Sequence, residues 1–103
     1  MKSVVVLYGE PTNREEFDAH YVSTHVPLAS KLPGLKEYTY GRCADASGAP
    51  APYYYLARLV FDTAQKRTEA LGSPEMAAAG ADVATFASGG ATILLVDDEF
   101  AGL

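Results

Sequence analysis

Four segments of the chain carry the apolar patterns of β-strands. Residues 4–8 form a β-branched run that ends at a Gly/Pro turn, which predicts an interior strand. Apolar and polar positions alternate over residues 35–43 and again over 53–61, and a short apolar run at 92–96 predicts a fourth strand. Periodicity alone leaves open which face of the central strands turns inward, because a one-residue slip inverts the assignment.

The segment after the first strand has the signals of a helix with an interruption. Asn13 is a predicted N-cap with Glu16 three residues later, and the helix then runs through Phe17. Pro27 disfavours helical geometry in the residue before it. We therefore expect a kink near Val26, followed by a short helical turn over residues 28–32.

Two more helices are predicted in the second half of the chain. Residues 63–71 have helical spacing and end at Gly72, and a second helix opens with Ser73 as its cap and Pro74 in its first turn. It ends before Gly89 and Gly90. The predicted order β-α-β-β-α-β is the split βαβ, ferredoxin-like motif, so we expect an α+β fold with a four-stranded antiparallel sheet and helices on one face.

Length, charge and termini exclude several classes of protein. The 103 residues suit one domain spanning 1–103. A net charge of −5 with only eight Lys and Arg argues against a nucleic-acid partner, and no apolar run approaches the roughly 20 residues of a membrane span. The N-terminus lacks the pattern of a signal peptide, so a cytoplasmic location is expected. The bare sheet face predicts a homodimer formed through the sheet faces.

Phe17, Tyr21 and His25 are each four residues apart, so a helix places them on one face. This stripe predicts a pocket wall with a polar end, lined by Phe17 and Tyr21. An imidazole titrates near pH 6.5, which suits a general acid or base, and we expect the interruption at Pro27 to expose His25. The alternative is a structural histidine that hydrogen-bonds a backbone carbonyl near the kink.

No metal or cofactor site is predicted. His20 and His25 are five residues apart and should not project together as an i, i+4 pair would, so His20 is expected at a boundary or solvent position. Cys43 is the one cysteine, which excludes a cysteine-built metal site. The chain also lacks the Gly-rich fingerprint of dinucleotide-binding proteins and a P-loop.

Further candidates for a binding site come from the strands and the last helix. Tyr38 and Tyr40 share one strand face and could present hydroxyls to a ligand, although tyrosine also simply suits strands. Asp82 and Phe86, four residues apart, are predicted to line the pocket, with a core role as the alternative for Phe86. Arg58 is either an anion anchor in the pocket or half of an interface ion pair.

Two consecutive motifs resemble the EthD family, which is named for ethyl tert-butyl ether degradation and belongs to the dimeric α+β barrel superfamily. They are F-x-x-H-Y-x-x-T-H-V-P-L at residues 17–28 and L-P-G-L-x-x-Y at residues 32–38. S-P-E-M at 73–76 and A-D-V-x-x-F at 81–86 resemble the second half of the same family. The resemblance implies a ferredoxin-like subunit that dimerises through its sheet, a pocket between sheet and helices, and Tyr38 as a site residue. The superfamily includes cofactor-free monooxygenases, isomerases, polyketide-processing enzymes and haem-binding proteins.

Three hypotheses about function follow. The first is a cofactor-independent enzyme, resembling an isomerase, decarboxylase or monooxygenase, that acts on a small hydrophobic carbonyl or phenolic metabolite in a catabolic or secondary-metabolite pathway. In it, His25 is the acid or base and Tyr38 stabilises an oxyanion. The second is a non-catalytic accessory or carrier protein of an ether or aromatic oxidation pathway. The third is haem binding through His25.

Overall fold

Four antiparallel strands form one sheet with the spatial order β2-β3-β1-β4. The computed structural model describes residues 1–102, in which the strands are β1 (Lys2–Tyr8), β2 (Leu35–Arg42), β3 (Tyr55–Phe61) and β4 (Ala91–Asp97). Each agrees with a predicted strand to within two residues at either end. The two central strands, β1 and β3, are neighbours in the sheet although a helical segment and β2 separate them in sequence, which confirms the predicted ferredoxin-like fold.

Strand register decides which face of the sheet meets the helices. Val4 pairs with Leu59 of β3, and Leu59 pairs in turn with Tyr38 of β2. Because directly paired residues point to the same side, these three side chains share a face, and it is the face that the helices cover. Arg58, one position along, therefore points to the opposite, outer face. This excludes the role of Arg58 as an anion anchor in the pocket.

The helices begin at the predicted caps. Helix α1 (Arg14–His20) starts after Asn13, whose Oδ1 accepts a hydrogen bond from the Glu16 N–H at 3.0 Å. Thr63 caps α3 (Ala64–Leu71) and Ser73 caps α4 (Pro74–Phe86) in the same manner. A short α2 (Val26–Ala29) precedes α3 in the chain.

The predicted interruption near Pro27 takes a form that the sequence did not indicate. The chain stays helical between α1 and α2 as a π-helical turn, Tyr21–His25, in which the Val26 N–H bonds to the Tyr21 carbonyl five residues back. Proline has no N–H to donate to the carbonyl four residues before it, so an ordinary α-helical bond is missing at this point. The short helix consequently begins at Val26, two residues before the predicted turn. The turn over residues 28–32 is present, since the Lys31 N–H donates to the Leu28 carbonyl and the Leu32 N–H to the Ala29 carbonyl, each at 3.2 Å.

The core between sheet and helices is unusually aromatic. Phe17 is buried, and its ring centroid lies between 5.1 and 5.9 Å from those of five other rings. These rings belong to Tyr8, Tyr21, Tyr54, Tyr55 and Phe86. Most of the pairs are edge-on, which is the arrangement that the ring quadrupoles favour. This cluster fixes α1 and the end of α4 against the sheet.

The outer face and the edge strand β4 carry exposed apolar side chains. Leu94, on the outer face opposite Val5, is 46% exposed, and Ile93 on the inner face is 50% exposed. Arg58 pairs on the outer face with Asp98, which also accepts a hydrogen bond from Ser3. Within residues 1–102, the helices are all too short or too polar to cross a bilayer.

Candidate functional site

A cavity of about 110 Å³ lies between the inner face of the sheet and the helices. Its walls come from all four strands, the π-helical turn and helices α2 to α4, and they are almost entirely apolar. The lining residues are Val4, Val6, Tyr8, Tyr21, His25, Ala29, Leu32, Tyr38, Ala57, Leu59, Phe61, Ala70, Leu71, Met76, Ala79, Gly80, Val83 and Ile93. The cavity is wide enough for a small ligand, and its four polar side chains are three tyrosines and one histidine.

Two of these tyrosines form a hydrogen-bonded pair. The hydroxyl of Tyr21, from the π-helical turn, lies 2.7 Å from that of Tyr38 in β2. Burial raises the pKa of Tyr38 to about 12, and burial also raises the pKa of Tyr21 far above its usual value. Both hydroxyls are therefore protonated at neutral pH and can donate hydrogen bonds.

His25 is buried, with 5% of its surface exposed, so the expectation that Pro27 would expose it is wrong. Its Nδ1 lies 3.0 Å from Oδ2 of Asp82. An ionised carboxylate only accepts, so Nδ1 carries the proton and Nε2 keeps its lone pair. Burial lowers the pKa of His25, and the opposing effect of Asp82 offsets this only in part. His25 is consequently neutral at pH 7, with a basic nitrogen free.

Nothing within residues 1–102 hydrogen-bonds to this Nε2 atom. No buried side-chain nitrogen or oxygen in that part of the chain lacks a partner, so Nε2 adjoins space that a water molecule can enter. Since the His25 side chain lines the cavity, Nε2 is the site's free acceptor. The structural alternative, a bond to a backbone carbonyl near the kink, is replaced by the bond to Asp82.

His20 joins the same carboxylate, contrary to the expectation from its spacing. Its Nε2 lies 2.8 Å from Oδ1 of Asp82, while His25 occupies Oδ2. An α-helix would separate residues five apart, but the i→i+5 pattern of the π-helical turn brings them to one face. Burial raises the pKa of Asp82, yet the hydrogen bonds from both imidazoles outweigh it and keep that pKa below its usual range.

The remaining predicted site residues lie outside the cavity wall. Phe17 and Phe86 belong to the aromatic core, and the Phe86 ring packs 5.0 Å from that of His25. Tyr40 is partly exposed, with its ring 5.1 Å from Tyr21. Asp82 holds the two histidines. Of the seven residues predicted from the sequence, Tyr21, His25 and Tyr38 line the cavity itself.

Sequence reasoning missed two contributions to the cavity. Tyr8 closes one end, with its ring 5.8 Å from that of Tyr21, and Met76, Ala79 and Val83 supply an apolar wall from α4. Tyr8 continues the alternation of Val4 and Val6, and this period of two was the available signal. In the part of the chain that the structure describes, no three His, Cys, Asp or Glu side chains are arranged to hold a metal ion.

Comparison with solved structures shows where this architecture recurs. An ethyl tert-butyl ether degradation (EthD) family protein from Bacillus halodurans C-125 superposes with a TM-score of 0.89 at 27% identity, over 96% of this chain and 99% of that one. A dimeric ferredoxin-like protein from Thermobifida fusca has a TM-score of 0.69 at 19% identity, with 92% and 88% covered. SnoaB, a cofactor-independent oxygenase from Streptomyces nogalater, has a TM-score of 0.68 at 15% identity, with 98% and 94% covered. The last two likenesses show a shared fold alone.

Sequence comparison defines the family. An uncharacterized 11.0 kDa protein in the thcB-thcC intergenic region of Rhodococcus erythropolis is 42% identical over 99 residues, which cover 96% of each chain. The model of the EthD domain matches residues 9–90, a range that contains the π-helical turn, both histidines and Asp82. These matches confirm the resemblance seen in the motifs: the chain belongs to the EthD family.

Proposed function

We propose that this EthD-family protein binds a small, mostly apolar carbonyl or phenolic compound in the cavity and transfers a proton to or from it without a cofactor. The observation that carries the proposal is the orientation of His25. Its Nδ1 is tied to Asp82 at 3.0 Å, and its free Nε2 belongs to a side chain that lines an apolar cavity. A neutral imidazole held by a carboxylate is the arrangement of a general base.

The tyrosine pair supplies the second element of the chemistry. Proton removal from a carbon next to a carbonyl, or from a phenol, leaves negative charge on an oxygen. If Tyr21 donates to Tyr38, the Tyr38 hydroxyl hydrogen is free to donate to that oxygen. A donor in an apolar, water-poor site stabilises such a charge more strongly than one in water does.

Cavity size limits the ligand. A volume of about 110 Å³ is somewhat below the roughly 150 Å³ of an engineered cavity that admits benzene, so a single small ring or a branched chain of similar size is the expected occupant. Ile93, half exposed on the edge strand, lies at the rim and leaves room for a longer substituent to reach solvent.

The proposed step balances without an oxidant. His25 Nε2 takes the proton, the carbon-hydrogen electron pair becomes an enolate, and return of the proton to a second carbon completes an isomerisation. In a decarboxylation the loss of CO2 leaves the carbon–carbon electron pair as the enolate, and the protonated His25 would deliver the proton to that carbon. An oxygenase of this type would begin from the carbanion or phenolate that proton removal leaves, and O2 would be its oxidant. Proton transfer at His25 is thus common to the three reaction classes that we expected from the sequence.

Exchange of deuterium into cyclohexanone in D2O tests the proposal directly, because exchange at the carbons next to the carbonyl needs only a base and an oxyanion donor. We expect the protein to accelerate exchange above buffer and His25→Gln to abolish the effect. Thr24→Ala is the matched control, since Thr24 is the exposed neighbour of His25 and lies outside the cavity. Equal exchange by the wild type and His25→Gln would refute the role of His25.

A non-catalytic carrier is the second candidate. It is favoured by the nearly complete apolar lining and by the two tyrosine hydroxyls, which satisfy each other without a ligand. A carrier would bind phenol or cyclohexanone with an affinity that stays constant between pH 6 and 8, and it would show no exchange. Binding that weakens as His25 protonates, together with exchange, would instead identify the enzyme.

The haem hypothesis does not fit the cavity. His25 could offer Nε2 as an axial ligand, but a volume of about 110 Å³ is below the roughly 300 Å³ at which pockets for drug-sized ligands begin, and a porphyrin is larger than such a ligand. The lining consists mostly of core side chains of the sheet and helices, so a planar macrocycle would have to displace them. No step through haem is therefore proposed.

Dimerisation through the outer sheet faces also belongs to the proposal. A structural relative is described as dimeric. Leu94 exposes nearly half of its surface on that face, and Leu7 and Leu56 are only partly buried there. A second copy would cover this apolar surface. The cytoplasmic location stays a prediction from the N-terminal sequence.

A further inference from the structure

We infer that His20, outside the cavity, is a positioning residue for His25 and acts on it through the carboxylate of Asp82 that the two imidazoles share. The inference rests on the proposed function, because His25 is the group whose acid/base state is being set. It assigns a chemical role to a histidine that the sequence placed at a solvent boundary.

Geometry is the first support. Asp82 receives one imidazole N–H on each carboxylate oxygen, at 2.8 Å from His20 and 3.0 Å from His25. Thr85 adds a hydroxyl contact to Oδ1 at 3.3 Å. Hydrogen bonds at both oxygens restrain the rotation of the Asp82 carboxylate. The bond from His20 therefore helps to fix the group that orients the His25 ring. Loss of His20 would free half of that restraint.

Location is the second support. The His20 side chain is 33% exposed and lines an outer cleft between α1, the π-helical turn and the end of α4, whereas His25 is buried and lines the inner cavity. The outer cleft contains polar side chains, among them Glu16, Ser23 and Ser88. The ring of His20 therefore contacts solvent at the outer cleft, while the buried imidazole of His25 lines the cavity.

Charge makes the link between the two imidazoles. The groups that face His25 are Asp82 from α4, His20 from α1 and the tyrosines Tyr8, Tyr21 and Tyr38, and the tyrosines stay neutral between pH 5 and 8. A positive charge at the position of His20 opposes proton binding by His25, whereas the carboxylate of Asp82 favours it. The protonation of His25 therefore depends on the charge at the His20 position, across the carboxylate that both rings contact.

Labelled-histidine NMR titration tests the coupling without any substrate. His20→Gln is the informative variant, because the Gln amide N–H can still donate to Asp82 but carries no charge. We expect the midpoint of His25 in His20→Gln to rise by half a pH unit or more, about a threefold gain in proton affinity. Ser23→Ala, a change in the same outer cleft, should leave the midpoint in place.

The donor role is tested by a second variant. His20→Ala removes both charge and hydrogen bond, so cyclohexanone exchange should fall several-fold in His20→Ala and be restored in His20→Gln. If His20 had only a structural role, its replacement would change the free energy of unfolding and leave the titration midpoint of His25 unchanged. If the NMR titration curves of His25 in the wild type and in His20→Gln coincide, the inference is overturned. If the His25 curve shifts but the wild type does not catalyse deuterium exchange, only the proposed function is refuted.

Discussion

The hydroxyl oxygens of Tyr21 and Tyr38 lie 2.7 Å apart and join the π-helical turn to strand β2 at the polar end of the cavity. The pair links a helical segment to an edge strand through two protonated hydroxyls, of which that of Tyr21 belongs to a buried side chain and that of Tyr38 to a partly buried one. In the proposed function, this pair is where a ligand oxygen would bind. Its removal should therefore affect both stability and chemistry.

Tyr38→Phe removes one hydroxyl and leaves that of Tyr21 without its partner. We expect the free energy of unfolding to fall by about 1–2 kcal/mol, the usual cost of an unpaired buried donor, and cyclohexanone exchange to fall with it. Tyr40→Phe is the matched control, because Tyr40 shares the strand face but is partly exposed, and it should change stability by less than about 0.5 kcal/mol. Urea denaturation measures the free energy of unfolding of both variants. Equal losses of stability in Tyr38→Phe and Tyr40→Phe would contradict the assigned role of the tyrosine pair.

Asp82→Asn should disable the base while keeping the shape of the site. An amide offers one acceptor and one donor, so it cannot accept from both His20 and His25. His25 then loses its bond or adopts the tautomer with the proton on Nε2. We expect the rate of cyclohexanone exchange to fall about 100-fold or more, as it does when an amide replaces the carboxylate of a catalytic triad. We also expect the pKa of His25 to be lower than in the wild type, because the Asp82 carboxylate raises it there.

The control for this change is Asp45→Asn, because Asp45 lies in the loop after β2 and its carboxylate bonds only to nearby Ser47. It should leave exchange and the histidine titration unchanged. Full activity in Asp82→Asn would show that the carboxylate does not orient the base.

Stability should depend on pH through His25. Its folded-state pKa lies below the unfolded value of about 6.5, so the unfolded chain binds more protons and stability is lost as pH falls from 6.5 towards the folded pKa. Between pH 7 and 5 the wild type should therefore lose more stability than His25→Gln. Asp82, whose pKa is also lowered, contributes only near and below pH 4. Thermal unfolding across this range measures the difference, and parallel curves would contradict it.

Leu94→Asp tests the proposed dimer. A charge at the centre of β4, on the outer face of the sheet, should convert a dimer to monomers at micromolar concentration, as measured by analytical ultracentrifugation. Val22→Asp is the matched control, since Val22 is 53% exposed on the π-helical turn, away from the outer face. A wild type that is monomeric at these concentrations, or a Leu94→Asp variant that remains dimeric, would refute the interface.

Much of the fold could be predicted because its signals are local. The caps at Asn13 and Ser73 depend on a side chain and an N–H three residues apart, and the strands depend on a period of two. The stripe of Phe17, Tyr21 and His25 also formed, with successive ring centroids 5.9 and 5.1 Å apart. The motifs around these residues identified the family for the same reason: they are short and contiguous.

The site depended on contacts that no local pattern encodes. By itself, the sequence determined the ferredoxin-like order of elements, the family and the candidate base His25. Only the tertiary structure decided that Tyr38 faces the cavity, since strand register selects a face, and that Asp82 binds both histidines. The physical reason for the shared carboxylate is the π-helical turn, because one wider turn of backbone hydrogen bonds changes which side chains share a helix face. His20 and His25 therefore both reach Asp82, which lies 62 and 57 residues away from them in sequence.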